Sequence, residues 1–141
     1  MDRRKRNRLC VRLIILGLGN FILYAIIYAI VGGDAQNGGI REDGTCYVRG
    51  HHVHRLLGYE SDVPMWVWVY SYIHSISIWP SIATVLLAML VLARPHIMAT
   101  YPNGIVKGTT LVTVVATVII FVTTVIMIWF IVAFATELLS H

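Results

Sequence analysis

The sequence predicts an all-α membrane protein: three transmembrane helices, with a 32-residue extracytoplasmic loop between helices one and two. Three observations carry that prediction. The chain is 57% hydrophobic and 13% charged, where an ordinary soluble domain carries about 25% charged residues. The charges cluster, which leaves three long tracts without one. A basic run, MDRRKRNRLCVR, abuts the first tract, the arrangement of a cytoplasmic membrane flank. The composition excludes a soluble core, because too few polar residues remain to clothe it. The basic run belongs to the flank, so no nucleic-acid partner is expected.

Residues 1–12 form the basic flank and 13–31 the first helix. Nineteen residues at 1.5 Å rise cover roughly 28 Å, close to the hydrocarbon thickness of a bilayer. Gly32 and Gly33 end the tract. A cleaved signal peptide has a shorter apolar core of about 7–15 residues and a small-x-small site. This tract is longer and lacks that site, so a retained helix is expected. Residues 32–63 form the loop and 64–93 the second helix. Pro64 suits a first helical turn, Pro80 is expected to kink the middle, and Arg94 and Pro95 to end it. Residues 94–108 form a second loop, 109–136 the third helix and 137–141 a tail. The third tract is rich in β-branched residues, which would suggest strand in water. Its length without a charge or proline overrides that, since only helices and closed barrels span lipid. The alternating ten-residue segments of a barrel are missing.

Arg3, Arg4, Lys5, Arg6, Arg8 and Arg12 outweigh the basic residues of either loop. The N-terminus is therefore expected in the cytoplasm, with loop 32–63 and the C-terminus outside, in a plasma or bacterial inner membrane. Tyr24, Tyr28, Trp66, Trp68, Tyr70, Tyr72, Trp129, Phe130 and Phe134 all fall near the expected outer interface, as an aromatic belt should.

Two helices carry small and polar stripes. His74, Ser77, Ser81, Thr84 and Ala88 share a sector of about 80°. Thr109, Thr113, Ala116, Thr117 and Thr124 mark the third helix, and Gly17 and Asn20 the first. Small faces let helices approach closely and their hydroxyls bond across the contact. Asn20, His74, Ser77, Ser81, Thr84, Thr113 and Thr117 are thus candidate packing or partner-binding residues. His74 is the one ionisable side chain inside a tract, a functional candidate by position. A structural hydrogen bond is its expected role. Haem would require a second ligand.

One wet stretch interrupts the apolar chain: GTCYVRGHHVHRLLGYESD. Cys46, His51, His52 and His54 are candidate zinc or copper ligands, since thiolate and imidazole suit both. Their spacing matches no zinc signature, so no cofactor is the expected answer and metal the alternative. Within it, VHRLLGY could form a short helix lying on the membrane. A loop this long favours a folded or functional segment over a tether. The two cysteines, Cys10 and Cys46, fall on opposite sides and are not expected to pair. Cys10 could accept a palmitoyl group, but an inert thiol is expected.

Catalysis finds no support. Ser71 and His74 face each other at i,i+3, but no G-x-S-x-G, H-E-x-x-H or phosphate loop is present. The expected function is therefore non-enzymatic. The protein would bind another membrane protein or its own copy, as an accessory subunit or an immunity-type inhibitor. The alternative is a metal or redox-cofactor protein using the histidine loop.

Overall fold

The computed structural model describes residues 2–50, 59–101 and 107–140. Its elements in chain order are α1 (Arg3–Val31), β1 (Asp34–Ile40), β2 (Cys46–Gly50), β3 (Tyr59–Val63), α2 (Met65–Thr100) and α3 (Gly108–Leu139). All three helices are long and apolar enough to cross a membrane. The expected spans lie inside helices that extend further, except that Pro64, expected in the first turn of the second helix, is instead its extended cap residue before Met65. At 1.5 Å per residue, the 29, 36 and 32 residues reach roughly 44, 54 and 48 Å, beyond a hydrocarbon core of about 30 Å.

The extensions have physical causes. Arginine and lysine are good helix formers, so the basic flank joins α1 from Arg3 onward. α2 was expected to stop before Pro95, yet it continues to Thr100 with both Pro80 and Pro95 inside it. Packing offsets the broken ladder there: a side chain at Gly108 would touch Met98 Cα at 3.0 Å and Ile97 O at 3.1 Å. At the other end of α1, Gly32 adopts φ 88°, and its N–H meets Tyr28 O at 3.0 Å. That left-handed cap, which an L side chain resists, stops the helix and turns the chain into β1.

The all-α expectation is corrected by a three-stranded antiparallel sheet, in the order β1-β2-β3. The segment expected as a helix, 53–59, lies outside the described residues except for Tyr59, which opens β3. β1 and β2 are joined by a tight turn. Gly44 N–H donates to Arg41 O at 2.8 Å, Arg41 N–H to Thr45 O at 2.9 Å, and Gly44 takes φ 80°. β1 is irregular. Asp34 faces Arg49 and Gly39 faces Tyr47, so five steps on one strand match two on the other, a bulge that bends the strand.

The core lies beneath this sheet. Ala35, Cys46 and Val48 face Trp68 and Tyr72 of α2, with Phe134 of α3 at the margin. Trp68 and Phe134 stack with ring centroids 5.9 Å apart, and Tyr72 and Phe134 lie 4.9 Å apart. Trp68 and Tyr72 were expected in the aromatic belt. Instead Trp68 is 0% exposed, whereas Trp66 is 72% exposed. Spacing explains the split: 66 and 70 share one helical face, 68 and 72 the opposite one.

α2 is central. Its Ser77, Ser81 and Val85 meet α1, while Trp68, Tyr72 and Trp79 meet α3. On an ideal helix these two sets lie roughly 180° apart. α1 and α3 scarcely touch each other, so the helices form a layer of three with α2 in the middle.

Candidate functional site

The site begins where the sheet is fastened to the helix ends. Asp34 is buried, although nothing basic pairs with it among the described residues. Its carboxyl accepts three hydrogen bonds: Tyr24 Oη to Oδ2 at 2.6 Å, Asn37 N to Oδ1 at 3.0 Å and Asn37 Nδ2 to Oδ1 at 2.9 Å. A buried acid needs such donors, since removal from water otherwise costs several kcal/mol, on the order of 2–7 for a polar group. One residue on, Ala35 N–H donates to Ser71 Oγ at 3.1 Å. Ser75 Oγ in turn donates to Ser71 O at 2.9 Å. On the far edge, Ile40 N–H donates to Glu137 Oε1 at 3.3 Å. Thus β1 is bonded to side chains from α1, α2 and α3.

His74 sits at the same junction and is buried. Its Nδ1 lies 3.2 Å from Tyr70 Oη. Its ring meets the Tyr24 ring edge-on at 5.5 Å and the Tyr70 ring at 5.6 Å. Ser71, the neighbour considered as its nucleophilic partner, directs Oγ to the Ala35 amide instead. The arrangement therefore joins helix to sheet through hydrogen bonds and aromatic edges.

Deeper along the helices, Asn20 Nδ2 donates to Ser77 Oγ at 3.2 Å and to Ser81 Oγ at 2.9 Å. Those hydroxyls donate back to His74 O at 2.7 Å and Ser77 O at 2.8 Å. Each of the two hydroxyls is both donor and acceptor. Gly17 permits the approach, because a Cβ there would collide with Val85 Cγ2 and sit 3.2 Å from Ser81 O. Sequence reasoning singled out Gly17, Asn20, Ser77 and Ser81, and the structure brings them together. Thr84 instead bonds its own helix at Pro80 O, 2.7 Å away. Thr113 bonds Thr109 O at 3.0 Å, and with Thr117 borders a cleft of about 560 Å³ between α2 and α3.

Cys46 is buried on β2, its Sγ 3.3 Å from Met65 Sδ. Burial pushes this thiol up from its ordinary value, which disfavours the thiolate. His51, His52 and His54 lie outside the described residues. Among the described residues, no group of three or more His, Cys, Asp and Glu side chains is placed to hold a metal. Both cysteines are free; Cys10 is buried in the groove between α1 and α2.

The sheet's other face is charged. Arg41 Nη1 donates to Asp62 Oδ1 at 2.7 Å, and Arg41 Nη2 to Glu60 Oε2 at 3.1 Å. Arg49 also pairs with Glu60. The Arg41 guanidinium lies 4.7 Å from the centre of the Tyr47 ring. These contacts hold the Glu60 carboxyl below its ordinary value, the Arg49 hydrogen bond contributing most and Arg41 next. Sequence reasoning missed both this network and Asp34. The alternation of buried Cys46 and Val48 with Tyr47 and Arg49 was a signal for the first; Asp34 had none beyond its place after Gly32 and Gly33.

Comparison of the chain with protein-family models, with curated proteins and with solved structures yields no match.

Proposed function

We propose that this is a small multi-pass membrane protein that works by presenting its sheet to a protein partner at one membrane surface. The carrying observation is the contrast between the sheet's fastening and its outer face. β1 is bonded to all three helices, so the sheet is a rigid platform. Its outward face bears Arg41, Arg49, Glu60 and Asp62 in one ion-pair network. Exposed pairs of this kind contribute only about 0–1 kcal/mol to stability, and the aromatic core already holds the sheet. Arranged charges on a rigid support suit recognition, where they set specificity and encounter rate. β3 is the outer strand and pairs only with β2 among the described residues, which leaves an edge for strand addition. The partner is a membrane-complex subunit, the target of an immunity-type inhibitor, or a second copy. The basic flank orients the sheet to the outside.

Photo-crosslinkers at Asn37 and Asp62, with a control at lipid-exposed Phe121, test this in native membranes. The expected result is one adduct of fixed mass from the sheet positions, lost in R41E/R49E. Only monomer at every position, in membranes and in several mild detergents, would refute it. A thiol introduced at Glu42 reports the orientation by its access to an impermeant reagent.

A second reading is metal binding through the histidine segment. The sulfur pair Cys46–Met65, at 3.3 Å, favours it, because thiol and thioether are ligands of copper(I). Metal analysis of purified protein against H51A/H52A/H54A decides it: stoichiometric metal lost in the variant supports the reading, and none in either protein ends it.

A further inference from the structure

The end of the molecule opposite the sheet holds three gaps that meet at Val91 of α2. The first, about 460 Å³, is bordered by Arg6, Arg94, Pro95 and Met98. The second, about 430 Å³, starts at the same Arg6 and runs between α1 and α2 past Leu9, Leu13 and Leu87. It continues toward Leu16 and Pro80 in a shallower groove. The third is the α2–α3 cleft, which starts at the same Arg94 and runs past Leu90, Val112 and Ala116. Thr84, Leu87, Val91 and Arg94 lie on one flank of α2, roughly 90° from the faces that meet α1 and α3. Both grooves therefore open on the same side of the helical layer, with the two arginines at their shared mouth.

Arg6 Nε is buried without a hydrogen-bond acceptor, and neither Arg6 nor Arg94 pairs with a carboxylate among the described residues. An orphaned guanidinium donor is costly and selects a bidentate anion such as phosphate. The walls that run away from the arginines are mostly apolar; Thr84 and Thr113 also line them, but their hydroxyls donate to their own helix backbone at Pro80 O and Thr109 O. A hydrophilic anion would satisfy the mouth and leave the grooves unfilled.

We infer that this basin binds one anionic diacyl phospholipid. Its phosphate lies between Arg6 and Arg94, and one acyl chain enters each groove, astride the Leu87–Val91 ridge. The α1 wall from Arg6 to Gly17 is roughly 16 Å long at 1.5 Å per residue, about half a hydrocarbon core. That length suits a single leaflet's chain. Basic pockets between membrane helices bind anionic head groups by the same physics.

The test uses the full-length protein, delipidated in detergent micelles, with dioleoyl phosphatidylglycerol or dioleoyl phosphatidylcholine added. Native mass spectrometry counts the lipid retained. The expected result is one phosphatidylglycerol per chain, preferred over phosphatidylcholine by about tenfold. R6Q/R94Q should abolish the preference. R94Q alone, at an exposed side chain, should lower it about threefold while circular dichroism stays unchanged. R3Q/R4Q, which removes two charges from the same flank but none from the basin, should keep it. Equal retention of the two lipids would overturn the site. So would a preference that survives R6Q/R94Q, or one that R3Q/R4Q removes equally, since the attraction would then be diffuse.

Discussion

The two ends of the molecule are built on different physics. At the sheet end, Trp68, Tyr72 and Phe134 pack under Ala35, Cys46 and Val48, and the buried Asp34 carboxyl and Ala35 amide have partners. At the basic end, the same helices leave grooves; Arg6 Nε there, like Trp68 Nε1 at the sheet end, has no acceptor among the described residues. On the proposed reading the sheet end meets water, where burying aromatic surface stabilises by roughly 25 cal/mol per Å². On the same reading the grooves that run from the arginines lie among lipid tails, where apolar helix faces gain no such drive and association relies on close packing and hydrogen bonds. Hence the chain spends its aromatic residues at one end and its small and hydroxyl residues further along.

The largest break in that contrast should come from Trp68→Ala. It removes the fully buried ring between sheet and helices, at a cost of about 3–5 kcal/mol. SDS titration followed by near-ultraviolet circular dichroism would show it, with helix content retained. Next comes Asp34→Ala, which strands the Tyr24 hydroxyl and the Asn37 donors, at about 2–3 kcal/mol. Hydrogen exchange should locate the loss in β1; exchange unchanged at Ala35 and Ile40 would contradict the fastening described above. Gly17→Ala should cost about 1–3 kcal/mol, because the backbone of Ser81 cannot yield to a Cβ. Adding Asn20→Leu to it should cost little more, since the separated helices have already lost the Ser77 and Ser81 bonds. A double-mutant cycle measures that non-additivity.

The smallest effect concerns acid. Glu60 is held below its ordinary value of 4.5 by Arg49 and Arg41. A depressed carboxylate contributes stability that is present above the ordinary value and lost as pH falls through the lowered one. The sheet should thus show no change from pH 8 to 5 and loosen slightly below 4.5, read by hydrogen exchange at Val48. Glu60→Gln should flatten that slope, and high salt should mask it, because the pairs are exposed.

How far this contrast was legible in the sequence depends on the kind of force. The three helices were readable because lipid demands long uncharged tracts, and the Asn20–Ser77–Ser81 contact because small polar residues recur at helical spacing. The sheet was not. Asp34–Ile40 is rich in Asp, Asn and Gly, residues that disfavour strands, and its pairing rests on a bulge and on side chains distant in sequence. Asp43-Gly44 was a hairpin signal inside a stretch where the histidines drew the argument toward metal. Trp68 and Trp66 look alike in composition; only the face each occupies separates core from membrane surface. Asp34 depends on three donors, from Tyr24 and Asn37, that only the folded chain gathers.

Because α1 and α3 scarcely touch each other and meet through α2 and β1, the order of synthesis has a structural meaning. Residues 1–100 contain α1, the sheet and α2, with the Asp34, Ser71 and Asn20 bonds already complete. A nascent chain can close this hairpin before α3 leaves the ribosome. Phe134 and Glu137 then dock from the side, covering Trp68 and Tyr72 and accepting from the Ile40 amide, so a truncation before Gly108 should still insert but leave the aromatic core open on one side.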